Sequence, residues 1–203
     1  MSEVIKYKNN LGEFISYEQV MDLSNYSTLY YVDDELKREE EVFNYKPFAG
    51  LYYLSSGEDP ITIIPELNKN YRWAFLTKSY ENGYTIYTGK GYNHNMQLKS
   101  KYYKEVYNSR GEHIATVTLD SKTHNPEGAL KIFRFGDDDD ISFSFDHKGN
   151  LKEITISEMI LSNELHYTKL NSFLRDIEEF VGDFITQEEL DYYTNPNTIV
   201  PTF

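Results

Sequence analysis

Cysteine is absent from this 203-residue chain, which excludes a disulfide framework, a thiolate metal site and a cysteine nucleophile. No apolar run approaches the ~18 residues of a membrane-spanning helix, so no membrane partner is expected. Positive charge is scarce: 20 Lys and Arg stand against 33 Asp and Glu, a formal net charge of −13. A nucleic-acid binder needs a basic footprint, so nucleic acid is not expected as a partner either. The opening Met1-Ser2-Glu3-Val4-Ile5-Lys6-Tyr7-Lys8 is not followed by the apolar core of a secretory signal, and a cytoplasmic location is expected. Alanine, the best helix former, occurs only 4 times.

Tyrosine is abundant instead, with 19 copies against 17 leucines. Aromatic and β-branched side chains fit a pleated, half-buried surface. An apolar fraction of 39% rules out intrinsic disorder. The expected fold class is α+β: a predominantly antiparallel sheet of about ten short strands in hairpins and a meander, with an amphipathic C-terminal helix packed on it. The whole chain, 1–203, is expected as one domain, with 194–203 as an extended tail.

The pattern predicts a short helix within Phe14–Leu23, opened by a capping box of Ser16 and Gln19. Strands are predicted at Tyr26–Val32, Ala49–Leu54 and Ile61–Ile64, with Leu36–Phe43 as an edge strand or short helix. Asn82-Gly83 between the aromatic segments Arg72–Ser79 and Tyr84–Thr88 signals a type I′ hairpin. Further strands are predicted at Gln97–Tyr107, His113–Leu119, Leu130–Phe135, Ile141–Phe145 and Leu151–Ser157. Ile141, Phe143 and Phe145 alternate with Ser142 and Ser144, the mark of a strand with one wet face. Near Thr168 the period changes: Leu170, Phe173, Leu174, Ile177, Val181 and Phe184 recur at three and four, predicting an amphipathic helix. Thr186 and Glu189 fit a capping box that opens a second helix through Tyr193.

Two segments share a pattern. Tyr107-Asn108-Ser109-Arg110-Gly111-Glu112 matches Phe145-Asp146-His147-Lys148-Gly149-Asn150 in type, and Tyr31 to Lys37 reads as a degenerate third copy without the glycine. The Asn or Asp bonds the turn backbone, and the Gly supplies a left-handed position. The pattern resembles the tyrosine-aspartate…glycine hairpins of repeat proteins associated with bacterial toxin systems. The chain as a whole is similar to the small, acidic, cysteine-free immunity proteins of those systems. That resemblance implies a non-enzymatic protein that neutralises a cognate toxin by direct binding, and it assigns no catalytic or binding residues.

Residues that could carry chemistry have simpler readings. Gly136 and Asp137–Asp140 lack the alternating ligands and closing Glu of a calcium loop, so they read as a solvated turn. His94, His113, His124, His147 and His166 have no zinc spacing, and His94 and His124 are loop residues. Gly89-Lys90-Gly91 is too short for a phosphate loop. Carboxylate pairs such as Glu105 with Glu112 are expected by chance at this acidity. No metal, cofactor or catalytic residue is therefore expected.

The acidic balance is uneven: residues 1–101 carry 14 acidic and 11 basic groups, residues 102–203 carry 19 and 9. Asp176, Glu179 and Asp183 share the polar side of the predicted helix, and Tyr192 and Tyr193 follow closely. These five are the predicted partner-binding residues, with the acids steering a basic partner and the tyrosines anchoring it. The expected partner is a basic toxin or a nucleic-acid enzyme. A phage-encoded inhibitor of a host enzyme fits the same pattern. A small-ligand binder with an aromatic pocket between sheet and C-terminal helix, and an enzyme without local motifs, are the competing classes.

Overall fold

A computed structural model describes residues 3–92, 95, 97–134, 140–158, 163–176 and 185–203. These form β1 (Glu3–Asn9), β2 (Phe14–Ile15), α1 (Tyr17–Val20), β3 (Tyr26–Val32), β4 (Glu35–Phe43), β5 (Lys46–Leu54), α2 (Pro60–Ile63) and a 3-10 turn (Ile64–Glu66). Then come β6 (Arg72–Glu81), β7 (Tyr84–Tyr92), β8 (Leu98–Tyr107), β9 (His113–Asp120), β10 (Pro126–Arg134), β11 (Asp140–Phe145), β12 (Leu151–Glu158) and β13 (Asn163–Tyr167). Two helices end the chain, α3 (Leu170–Asp176) and α4 (Gln187–Thr194). The hydrogen-bonding order is β13-β12-β11-β10-β9-β8-β7-β6-β5-β4-β3-β1-β2. Pairing is antiparallel from β1 through β5 and from β8 through β13. The predominantly antiparallel sheet expected from the composition is therefore present.

The chain divides into two compact units. The first holds Met1–Lys78 and Gly89–Ser100, the second Ser79–Thr88 and Lys101–Phe203.

In the first unit, β5 and β6 pair in parallel, Ala49 opposite Arg72 through Leu54 opposite Thr77. A parallel pair needs a crossover, supplied here by α2 and the 3-10 turn. This corrects the strand predicted at Ile61–Ile64. Asp59 caps the helix by accepting from the Ile61 N–H at 2.9 Å, and Pro60 stands at its start. That local chemistry overrides the β-branched run. The crossover lays Ile63, Ile64 and Leu67 against Trp73, Phe75, Tyr52, Leu54, Tyr71 and Tyr92. Trp73 is 1% exposed and donates from its indole N–H to the Asn68 carbonyl at 2.8 Å. Gly50 lies under this ring: a Cβ there would come within 2.5 Å of Trp73.

The helix predicted over Phe14–Leu23 is shorter than expected. Phe14 and Ile15 form the edge strand β2, and only Tyr17–Val20 is helical. The Ser16–Gln19 capping box is present, closed by the Ser16 N–H donating to Gln19 Oε1 at 2.8 Å. Strands β1 and β13 were not foreseen.

In the second unit, one face of β9–β12 carries Val117, Leu119, Ala129, Phe133, Ile141, Phe143, Phe145, Ile154 and Ile156. Register places these side by side: Ala129 opposite Phe145, Phe133 opposite Ile141, and Phe143 opposite Ile154. Phe173, Leu190, Tyr192 and Tyr193 complete the cluster. Phe173 meets Phe143 edge-on at 5.6 Å, and Tyr193 stacks on Phe143 at 5.9 Å. The continuation of the predicted helix, residues 177–184, lies outside the described residues. The Thr186–Glu189 capping box opens α4 as predicted.

Lys131 sits in the middle of this apolar face, opposite Phe143, and is fully buried. Its ammonium donates to the carbonyls of Tyr192, Asn195 and Thr198 at 2.6, 2.7 and 2.7 Å. It also lies 3.7 Å from the centre of the Tyr192 ring. The carbonyls belong to the end of α4 and the segment after it, groups a helix terminus leaves without intrahelical donors. Three acceptors and a ring face offset part of the cost of burying the charged form. Residues 195–203 are pinned further by Tyr192 donating to the Ile199 carbonyl and Asn82 to the Pro201 carbonyl, both at 3.1 Å.

Two predictions follow from these cores. Gly50→Ala overpacks the indole and is expected to cost about 1–3 kcal/mol in urea unfolding, with a shifted emission from Trp73. Lys131→Met strips three carbonyls of their buried donor and is expected to cost about 3 kcal/mol. Burial pulls Lys131 down to about 7 from its ordinary 10.5. Between those values the unfolded chain binds more protons than the folded one. Wild-type stability, measured relative to Lys131→Met, is therefore expected to rise with pH through that window. A difference independent of pH there contradicts the assignment.

Candidate functional site

The five predicted partner-binding residues do not form one surface. Tyr192 and Tyr193 are each 5% exposed and belong to the core of the second unit. They cannot anchor a partner in this fold, which corrects their assignment. The reason is the helix period: α4 turns Leu190 and both tyrosines inward, while Glu188 and Asp191 stay exposed. Burial also pushes both phenols above their ordinary range. Asp176 ends α3, and Glu179 and Asp183 lie outside the described residues.

Most other chemical candidates resolve into structure. Asn108 Oδ1 accepts from the N–H groups of Arg110 and Glu112, and Asn108 Nδ2 donates to the Glu112 carboxylate at 2.6 Å. Glu105 accepts from Tyr107 at 3.2 Å. Glu105 and Glu112 thus serve a ring and a turn. His113 bonds Thr116 at 2.9 Å, and His124 packs on Tyr102 at 5.5 Å. His94 and Asp137–Asp139 lie outside the described residues. No cluster of three metal-ligating side chains occurs among the described residues, and none of their helices is long and apolar enough to cross a membrane.

The informative surface is in the first unit. Leu11, Phe14, Tyr17, Met21, Phe43 and Tyr45 are each more than half exposed. Register brings them to one end of the unit. Asn9 stands opposite Tyr26, Tyr26 opposite Val42, and Val42 opposite Pro47. The β1–β2 turn, α1 and the β4–β5 turn therefore all close the same end of the sheet. Two hydrogen bonds stitch them together: the Tyr45 N–H donates to the Ser24 carbonyl and the Asn44 N–H to Asn25 Oδ1, both at 2.9 Å. Tyr17 rests on Tyr7 at 5.6 Å and Phe43 on Phe48 at 5.8 Å, so part of the patch is pre-ordered. Tyr45 has φ of 60° and is 72% exposed. A bulky residue in the left-handed region costs stability, and the two-residue turn Asn44-Tyr45 requires it there.

Toward the opposite end of these strands, on the face that carries Trp73 and Phe75, lies a pocket of about 170 Å³. It is lined by Glu3, Tyr30, Val32, Lys37, Arg38, Tyr52, Ile63, Glu66 and Leu67. Tyr30, Arg38, Tyr52 and Phe75 are successive neighbours across β3, β4, β5 and β6, which puts their side chains on one face. Tyr30 donates to Glu40 at 3.2 Å. Burial, with Glu40 nearby, raises the Tyr30 phenol and pushes Tyr71 up to about 12. The pocket does not lie between the sheet and the C-terminal helix, where the ligand-binding alternative placed one.

Comparison with protein-family models, curated proteins and solved structures finds no match for this chain.

Large apolar side chains on a surface contribute little to folding, so the patch can be tested by removal. Leu11→Ser, Met21→Ser and Tyr45→Ser together are expected to change stability by no more than about 0.5 kcal/mol per site. The same variant is expected to lose most of the bis-ANS fluorescence of the wild type at equal concentration. Unchanged dye binding shows that the three side chains do not form one patch.

Proposed function

We propose that this protein is a non-enzymatic binding protein that holds another protein through the apolar end of its first unit. The observation that carries the reading is the gathering of six exposed, large apolar side chains at one sheet end. Patches of this kind mark interaction sites, and aromatic residues are favoured anchors within them. The net charge of −13 favours a basic partner, because the long-range field speeds encounter before the apolar contacts form. An immunity protein acting in the cytoplasm against a basic toxin is the specific form of this reading, supported by the acidity, the missing cysteine and the repeated hairpin turns. An amphipathic C-terminal helix packed on the sheet belongs to the same reading.

The test is calorimetric titration of the full chain with the protein encoded by the adjoining gene, wild type against the Leu11, Met21 and Tyr45 triple serine variant. The expected result is a salt-sensitive complex that the variant weakens at least tenfold, about 1.4 kcal/mol or more, with its melting curve unchanged. A complex of equal affinity with the variant moves the interface elsewhere, and the absence of any complex removes the assignment.

A further inference from the structure

We propose that the Arg38 pocket binds a small zwitterion, with a carboxylate, an ammonium group and a short apolar body, of the size of a free α-amino acid such as leucine. This site is separate from the apolar end and does not depend on it. The guanidinium of Arg38 lies 3.8 Å from the centre of the Tyr30 ring, which fixes the plane of its fork. Arg38 Nε is buried without a hydrogen-bond partner and forms an ion pair with Glu40 Oε1 at 3.5 Å, which leaves the outer edge of the fork to meet a ligand carboxylate. A planar fork stacked on a ring is suited to a bidentate carboxylate, which a point charge cannot match.

The other groups narrow the ligand. Lys37 is already engaged, donating to Glu58 at 2.6 Å and to Ser55. It also lies 5.4 Å from the centre of the Tyr52 ring. Both tyrosine faces are therefore taken by the protein's own cations, which excludes an aromatic cage for a ligand cation. Glu3 and Glu66 line the same cavity and are exposed. They disfavour a plain anion but provide an acceptor for an ammonium group. Val32, Ile63 and Leu67 supply apolar walls. The volume is well below the ~300–1,000 Å³ of nucleotide-sized or drug-sized sites, which limits the body to a short side chain.

Trp73 packs in the same cluster as Tyr52, Ile63 and Leu67 and is the only tryptophan, so its emission reports on the pocket. The experiment titrates the full chain with L-leucine, 4-methylpentanoate and isopentylamine, read by Trp73 emission and calorimetry. Saturable binding of leucine is expected, with each half-molecule at least tenfold weaker. Arg38→Gln is expected to abolish leucine binding, and Arg38→Lys not to restore it. Glu66→Gln is expected to weaken leucine at least fivefold while leaving 4-methylpentanoate as tight or tighter. If the Arg38 variants lose their native melting transition, the Glu66 arm decides alone. No saturable response to leucine, isopentylamine binding as tightly as leucine, or a folded Arg38→Gln chain that binds normally each overturns the proposal. None of these outcomes bears on the protein-binding surface.

Discussion

The structure depends on how a sheet built of hairpins holds its register. A slip of one residue sends every core side chain to the wrong face, so each turn has to specify its pairing. Here one side-chain oxygen does this repeatedly. Asn9 Oδ1 accepts from the N–H groups of Leu11 and Glu13, and Asn108 Oδ1 from those of Arg110 and Glu112. Asp146 Oδ1 accepts in the same way from Lys148 and Asn150. Each turn then passes through a left-handed glycine, Gly12, Gly111 or Gly149, with φ between 77° and 84°. Three further hairpins use two-residue turns at Asp33-Asp34, Asn44-Tyr45 and Asn82-Gly83, all with positive φ. Twist matched to the flanking strands is the reason this turn type recurs.

Register fixed in this way has two consequences. In the second unit it places Lys131 among phenylalanines, where carbonyls at the end of α4 and after it satisfy it. One ammonium thereby ties the chain's last segment to its core. In the first unit it lines up Tyr30, Arg38 and Tyr52 on one face and brings the β1–β2 and β4–β5 turns to one end. Both the pocket and the apolar patch are products of pairing between residues far apart in sequence.

That explains what the sequence could and could not reveal. Most of the antiparallel strands, the Asn82-Gly83 hairpin and both capping boxes are local signals, and they appear where expected. The turn motif was legible at Asn108 and Asp146. Its third copy is Asn9–Glu13, while Tyr31 to Lys37 turns through Asp33 and Asp34 instead. The cue was present, since Asn9 and Gly12 share the spacing of Asn108 and Gly111, but Leu11 replaced the basic residue that the pattern demanded. The burial of Tyr192 and Tyr193 was hidden because their position relative to the acids suggested a surface, and only the packing against Phe133 and Phe143 reveals a core. The apolar end was illegible for the same reason: Leu11, Met21 and Tyr45 meet through strand register, which no local window displays.

The proposed working surface therefore lies in the first unit, and not in the acidic second half. In this proposal the acidic charge acts at long range and the apolar end at contact. Hydrogen–deuterium exchange of the protein with and without its partner tests this division most directly. The account predicts new protection across residues 9–25 and 42–48. Protection confined to residues 186–203, with the first unit unchanged, would contradict it.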